Sequence, residues 1–244
     1  MNTNFEPSIR LLSIFKYIDE RYVYIRIPKT GSQSMNNALW NVSKSAHLQR
    51  KLDNTNAFLD PPHGWWDHLS ARFCRKVIGK DVWALTNTFS IVRNPYARLY
   101  SLWKYAPKIN QNTTFKEWIL TGCIYPGWMT NGKQRIVMPE NPVLSQNNWI
   151  TDENKNLLVA ITFRLEEIDN NVIQELLKEI TGDRSFQMPP LMYNKTSEPE
   201  EYKDHYDQEM IDWVNSYCAE DLQIFQYDFN GILPGSENFV LVRE

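Results

Sequence analysis

Apolar and polar positions fall into two periods along this chain. Residues 22–27, Tyr-Val-Tyr-Ile-Arg-Ile, are rich in β-branched and aromatic side chains and run into Pro28, which predicts a strand that stops there. A polar turn, Lys29 to Ser34, comes next, and Met35 to Trp40 reads as a helix with Ser32 or Ser34 as its cap. The same grammar recurs: Phe89 to Val92 as a strand, Arg93-Asn94-Pro95 as a turn, and Tyr96 to Tyr105 as a helix whose first turn accommodates Pro95. A third apolar stretch, Leu157 to Phe163, precedes Arg164 to Glu167, and Ile168 to Ile180 has helical periodicity ended by Gly182. Residues 207–226 predict one long C-terminal helix with Met210, Ile211, Val214, Tyr217, Leu222 and Phe225 facing inward. Strands alternating with helices predict an α/β fold, a central and mostly parallel sheet flanked by helices.

The stretch from about 106 to 150 breaks the rhythm, with Trp118, Tyr125, Trp128 and Trp149 set among Pro, Asn and Gly. It reads as a loop-rich insertion in a single domain spanning 1–244, lying over the active face. Its aromatic rings have two readings, a stacking platform for a sugar or base and a local core under long loops. Trp65 and Trp66 share that ambiguity.

Composition narrows the class. With 42% hydrophobic and 23% charged residues the chain is ordinary globular material, which excludes a disordered tail, a collagen and a disulfide-stapled miniature. No apolar run approaches the roughly 18 residues of a membrane span, and the N-terminus lacks a basic-then-apolar signal, so a soluble, cytoplasmic protein is expected. Cys74, Cys123 and Cys218 are too few and too scattered for a disulfide framework or a CxxC zinc site, and no convincing metal-ligand cluster stands out. Three Asn-X-Ser/Thr triplets, at Asn41, Asn112 and Asn194, then read as chance. The net charge of −3 hides a division: residues 1–110 carry 16 Lys and Arg against 7 Asp and Glu, whereas 111–244 carry 10 against 22. An anionic ligand favours the first part, unless the charges are merely clumped on solvated faces.

That part also holds the candidate chemistry. N–H groups at the start of a helix are unpaired and partly positive, so the Gly31 turn can hold a phosphate with Lys29 beside it. A tight strand-to-helix connection is the competing explanation. The turn is not a Walker A loop, because Lys29 precedes the only glycine and no Gly-Lys-Ser/Thr follows. Arg93 stands at the carboxyl end of a predicted strand, where open α/β sheets bind ligands, and Ser101 follows within the next helix. Arg98 is a third cation in a supporting role, since helix arginines more often pair with a carboxylate or snorkel.

Two anion sites at adjacent strand ends suit a ligand with two separated phosphates, and here the chain resembles a known family. Tyr24-Ile-Arg-Ile-Pro-Lys-Thr-Gly-Ser-Gln-Ser34 is similar to the 5′-phosphosulfate loop of sulfotransferases. Ile91-Val-Arg-Asn-Pro-Tyr-Ala-Arg-Leu-Tyr-Ser101 is similar to their 3′-phosphate motif, in the same order and spacing. The resemblance is greatest to the branch of chondroitin and heparan sulfate O-sulfotransferases and their short microbial relatives. It extends to Phe163-Arg-Leu-Glu166, Asn194-Lys-Thr-Ser197 and Tyr217 to Phe229. It implies a three-layer, P-loop-like fold and the donor 3′-phosphoadenosine 5′-phosphosulfate. Lys29, Thr30, Gly31, Ser32, Gln33 and Ser34 would take its 5′ end, and Arg93 with Ser101 its 3′-phosphate. Gln33 departs from the family's usual Thr, replacing a hydroxyl donor with an amide; altered affinity is expected rather than lost binding.

Sulfuryl transfer to an alcohol needs positioning, a cation at the leaving oxygen and a base of near-neutral pKa, which selects histidine. Lys29 is the expected leaving-group cation. The segment Asp67-His68-Leu69-Ser70-Ala71 matches the family segment whose histidine takes the acceptor proton, which makes His68 the expected base and His63, in the same loop, its runner-up. Arg164 and Glu166 either contact the nucleotide or brace the sheet edge, with bracing preferred, and the loop of Lys195, Thr196 and Ser197 either folds over the donor or is solvated. The acceptor implied is a hydroxyl on a saccharide, with no nucleic acid, no metal and no membrane segment, in a bacterial or viral setting. Two rivals stay open: a nucleotide kinase with a degenerate phosphate loop, dependent on magnesium and ATP, and a non-catalytic protein that binds a bisphosphorylated nucleotide.

Overall fold

The computed structural model describes residues 18–19, 22–32, 35, 68–106, 112–124, 141–168, 171, 174–175, 178, 184, 201–237 and 239–243. Strand β1 (Ile18–Asp19) pairs antiparallel with β2 (Tyr22–Ile25), which ends just before Pro28. Helices α1 (Ala71–Ile78) and α2 (Lys80–Leu85) then lead into β3 (Asn87–Val92). Ser70 caps α1 by accepting from the Phe73 N–H at 3.3 Å. Helix α3 (Pro95–Tyr105) starts with proline at its first position, and Asn94 caps it through a 2.9 Å bond from the Tyr96 N–H. Beyond come α4 (Phe115–Leu120), the short α5 (Asn147–Ile150), β4 (Ile161–Arg164) with a 3-10 turn at Leu165–Glu167, and a second such turn at Glu201–His205. Helices α6 (Gln208–Tyr217) and α7 (Ala219–Ile224), the hairpin β5 (Tyr227–Asp228) and β6 (Gly231–Ile232), and β7 (Val240–Val242) close the described chain.

The main sheet runs β1-β2-β3-β4-β7. Its three central strands are parallel, Ile25 facing Ser90 and Val92 facing Arg164, and its two edges are antiparallel. Every residue of β3 after Asn87 is buried, as a strand covered on both faces must be. This is the α/β architecture the alternation predicts, a mostly parallel sheet flanked by helices. Its consequence for chemistry is geometric: β2, β3 and β4 point their carboxyl ends the same way, so residues 28–32, 93–94 and 165–167 emerge side by side.

Three expectations change on contact with the structure. The long C-terminal helix is two helices, broken at Cys218 (φ −109°, ψ 17°). Met210, Val214 and Cys218 keep the four-residue spacing of the buried stripe, whereas Tyr217, expected inside, stacks on Trp213 with 59% of its surface exposed. The third apolar run forms a strand only from Ile161, because Leu157 is bridged to Thr151 instead. Within 106–150, α4 is a regular helix with a complete capping box, Thr114 and Glu117 satisfying each other's backbone N–H. Trp118 and Trp149 are buried, their indole N–H groups bonded to the carbonyls of Ile124 (2.9 Å) and Pro142 (3.1 Å), so these two rings belong to the core and cannot stack on a ligand. Trp65, Trp66, Tyr125 and Trp128 lie outside the described residues. Among the described residues no helix is long and apolar enough to cross a membrane.

Candidate active site

Immediately after β2 the backbone turns through left-handed conformations. Lys29 has φ +68° and Gly31 φ +72°. A Cβ on Gly31 would lie 2.6 Å from a methyl of Leu165, in the turn after β4, so two strand ends are packed together at that glycine. Thr30 is buried, and its hydroxyl donates to the Ile27 carbonyl at 2.9 Å, closing the turn. What Thr30 has left to offer an anion is its N–H. Among the described residues the N–H groups of Thr30, Gly31 and Ser32 make no hydrogen bond within the protein, nor does the buried Ser32 hydroxyl. Gln33, Ser34, His63 and Lys195 to Ser197 lie outside the described residues.

The loop after β3 is held quite differently. Gln146 donates to the Arg93 carbonyl at 2.7 Å and accepts from the Arg93 N–H at 2.9 Å. The next N–H, of Asn94, donates to Glu166 Oε1 at 2.9 Å, and the Asn94 side chain donates to the Asp228 carbonyl at 2.8 Å. Glu166 also accepts from the Tyr227 hydroxyl. Glu166 thus braces the loop after β3, a central strand, rather than an edge of the sheet.

Three arginines near these loops divide sharply. Buried Arg98 spends its guanidinium on the carbonyls of Pro28 (3.0 Å), Pro142 (3.0 Å) and Val143 (2.5 Å), tying the first loop to the segment before α5. Arg164 is likewise committed, to Glu167, Ser236 and the carbonyls of Phe225 and Gln226. Arg93 alone of the three holds back: among the described residues its guanidinium makes one hydrogen bond, to the Lys29 carbonyl at 3.4 Å. Lys29 has no carboxylate partner among the described residues either; its Nζ lies 4.2 Å from the centroid of the Tyr105 ring, which is 62% exposed. Burial pulls the Lys29 ammonium down to about 8, and the nearby Arg93 charge adds to that. Burial also lowers Arg93, against the opposing influence of Glu166. Two cations largely withdrawn from water, with no carboxylate partner among the described residues, carry an electrostatic cost that an anion between them removes.

His68 is half-buried and its Nδ1 lies 2.9 Å from the Arg26 carbonyl. A carbonyl only accepts, so Nδ1 carries the proton and the neutral ring keeps its lone pair on Nε2. The ring is thereby fixed against the carbonyl of Arg26, which precedes Lys29 by three residues, with the Trp149 ring edge-on at a centroid distance of 6.4 Å. Ser101 is buried on α3, and its hydroxyl makes no hydrogen bond within the protein among the described residues. The thiols of Cys74, Cys123 and Cys218 are buried and pushed far up by burial, so none is a nucleophile at neutral pH. Among the described residues no group of three or more His, Cys, Asp and Glu is placed to hold a metal ion.

Sequence reasoning missed Gln146, Asn94 and the residue that anchors Gln146, Asp221. Asn94 was findable, as a capping residue directly before a first-turn proline. Gln146 and Asp221 carry no local signal, because their bonds join residues 53 and 75 positions apart.

Residues 17–228 match the family model described as the sulfotransferase family. No curated protein and no solved structure matches the chain.

Proposed function

The chain belongs to the sulfotransferase family, and we propose that its donor is 3′-phosphoadenosine 5′-phosphosulfate and its acceptor a saccharide hydroxyl. The observation that carries this reading is the pair Lys29 and Arg93: two cations from adjacent parallel strand ends, in contact through the Lys29 carbonyl and lacking a carboxylate partner among the described residues. A ligand with phosphates at both ends of one nucleoside satisfies both. The unbonded N–H groups of residues 30–32 receive the 5′ end, and the unspent donors of Arg93 with the Ser101 hydroxyl receive the 3′-phosphate.

The donor supplies an activated sulfuryl group whose sulfur–oxygen bond to phosphate breaks as the bond to the acceptor oxygen forms. Lys29 stabilises the charge that gathers on the departing phosphate oxygen. His68 takes the acceptor hydroxyl proton on Nε2, the nitrogen that its bond to Arg26 leaves with the lone pair. Arg93 grips a group remote from the reacting sulfur and serves binding rather than the chemical step.

The test is transfer of label from a radiolabelled phosphosulfate donor to desulfated glycosaminoglycan chains, run with and without a chelator. Transfer that persists in the chelator is expected; a requirement for magnesium and ATP would favour a kinase, and tight binding of 3′,5′-adenosine bisphosphate without turnover would favour a carrier. His68→Ala should keep bisphosphate affinity while turnover falls roughly 100-fold to 10,000-fold. Activity close to wild type would move the base to another residue, His63 first.

A further inference from the structure

The Arg93 loop is supported from below by a buried polar relay. Gln146 is 0% exposed, and its amide meets both backbone groups of Arg93, at 2.9 and 2.7 Å, in the manner of a neighbouring strand. Gln146 is itself held: the carboxylate of Asp221, on α7, accepts from the Gln146 N–H at 2.6 Å and from the Asn147 N–H at 2.9 Å. Asp221 is 1% exposed, and a buried carboxylate that caps the start of α5 has little freedom to move. The relay ends at the backbone of the one arginine, among the three described above, whose guanidinium makes a single hydrogen bond among the described residues.

We propose that Gln146, anchored by Asp221, is a positioning residue for recognition of the 3′-phosphate, fixing the Arg93 backbone so that its guanidinium is presented without a carboxylate to hold it. This rests on the donor reading above. The physical case is that a long arginine pays side-chain and backbone entropy whenever it orders around a ligand. A clamp on both peptide groups of Arg93 settles the backbone share in advance. Because the clamp is an amide, it adds no charge that would compete with the phosphate, as a glutamate at position 146 would.

The experiment compares the affinities of 3′,5′-adenosine bisphosphate and adenosine 5′-monophosphate by calorimetry; their ratio isolates the 3′-phosphate. In the wild-type protein the bisphosphate should bind more tightly. Gln146→Met, equal in length but unable to bond, should shrink that ratio at least about tenfold. Its affinity for the monophosphate should hold within about twofold. Gln146→Glu keeps the acceptor for the Arg93 N–H, loses the donor to its carbonyl and brings a competing charge; it should shrink the ratio as well, and it decides the matter if the methionine variant fails to fold by thermal melt. A folded variant with the full wild-type ratio overturns the proposal, as does an equal weakening of both nucleotides, which would mean general support of the fold. A wild-type ratio near one overturns the donor reading instead.

Discussion

In the loop after β2, the N–H groups of Thr30, Gly31 and Ser32 make no hydrogen bond within the protein among the described residues, and two residues take left-handed backbone angles. In the loop after β3, the N–H groups of Arg93 and Asn94 are both consumed by side chains from distant parts of the chain. The two loops lie at neighbouring strand ends, and the single ligand proposed above would meet them by opposite means. The first offers its backbone, and its sequence is constrained at the main chain. The second spends its backbone on being held still, so any anion there must be gripped by side chains.

The largest effect that separates them is on turnover. If Lys29 is the leaving-group cation proposed above, Lys29→Ala should lower single-turnover transfer about 100-fold to 1,000-fold, the cost of losing a preorganised donor. Arg93→Ala leaves its loop in place, because Gln146 and Glu166 hold main-chain and neighbouring atoms rather than the guanidinium. It should weaken bisphosphate binding by about 1.5–3 kcal/mol, as for a hydrogen bond to a charged group, with the chemical step little changed. Equal losses in both variants, in the same kinetic parameter, would erase the division of labour.

A smaller effect tests the backbone contrast. Gly31→Ala forces a side chain into φ +72° and against the Leu165 methyl, and should cost about 1–2 kcal/mol of stability, read as a lower melting temperature. Adding Leu165→Ala relieves the contact but not the backbone angle, so recovery should be partial. Pro95→Ala in the other loop should cost less, about 0.4–1 kcal/mol, since alanine adopts the helical angle and loses only the preset φ of the proline. Full recovery in the double variant would mean that the contact, and not the left-handed turn, fixes glycine at this position.

The contrast also explains how much was legible in the sequence. The first strand and its turn, the whole strand–turn–helix unit around Arg93, the parallel core and the places of Lys29, Arg93 and Ser101 in the chain's elements followed from local patterns, because a strand's composition and a helix cap are properties of a few adjacent residues. The helix expected over Met35 to Trp40 lies, apart from Met35, outside the described residues. The turn of the first loop, from Lys29 to Ser32, could be read from its own residues, although Leu165 and Arg98 also pack and bond against it. The hold on the second could not: it comes from Gln146, Glu166 and Asp221, none of which neighbours Arg93 in sequence. Arg98 was placed among helix arginines that pair or snorkel, whereas it is a buried strut satisfied by three carbonyls, a role set by tertiary packing. Trp149 stood open between stacking platform and local core, and its burial with the N–H bonded to the Pro142 carbonyl decides for the core.

The last prediction joins the loops through one titration. Lys29 loses its proton at about 8 in the empty site, with burial the main cause and the Arg93 charge the lesser one. A bound phosphate favours the ammonium, so binding takes up a proton once the pH exceeds the empty-site value. Bisphosphate affinity should therefore be level just below pH 8 and fall above it by up to about tenfold per pH unit, until Lys29 titrates in the complex as well. Lys29→Arg, charged throughout that range, should flatten the curve. Arg93→Ala should move the break to higher pH without restoring the ordinary lysine value, because burial, the larger cause, persists when the neighbouring charge is gone. Calorimetric titrations in buffers of different ionisation enthalpy measure the proton uptake directly; an unchanged break in Lys29→Arg would assign it to a different group and uncouple the two loops.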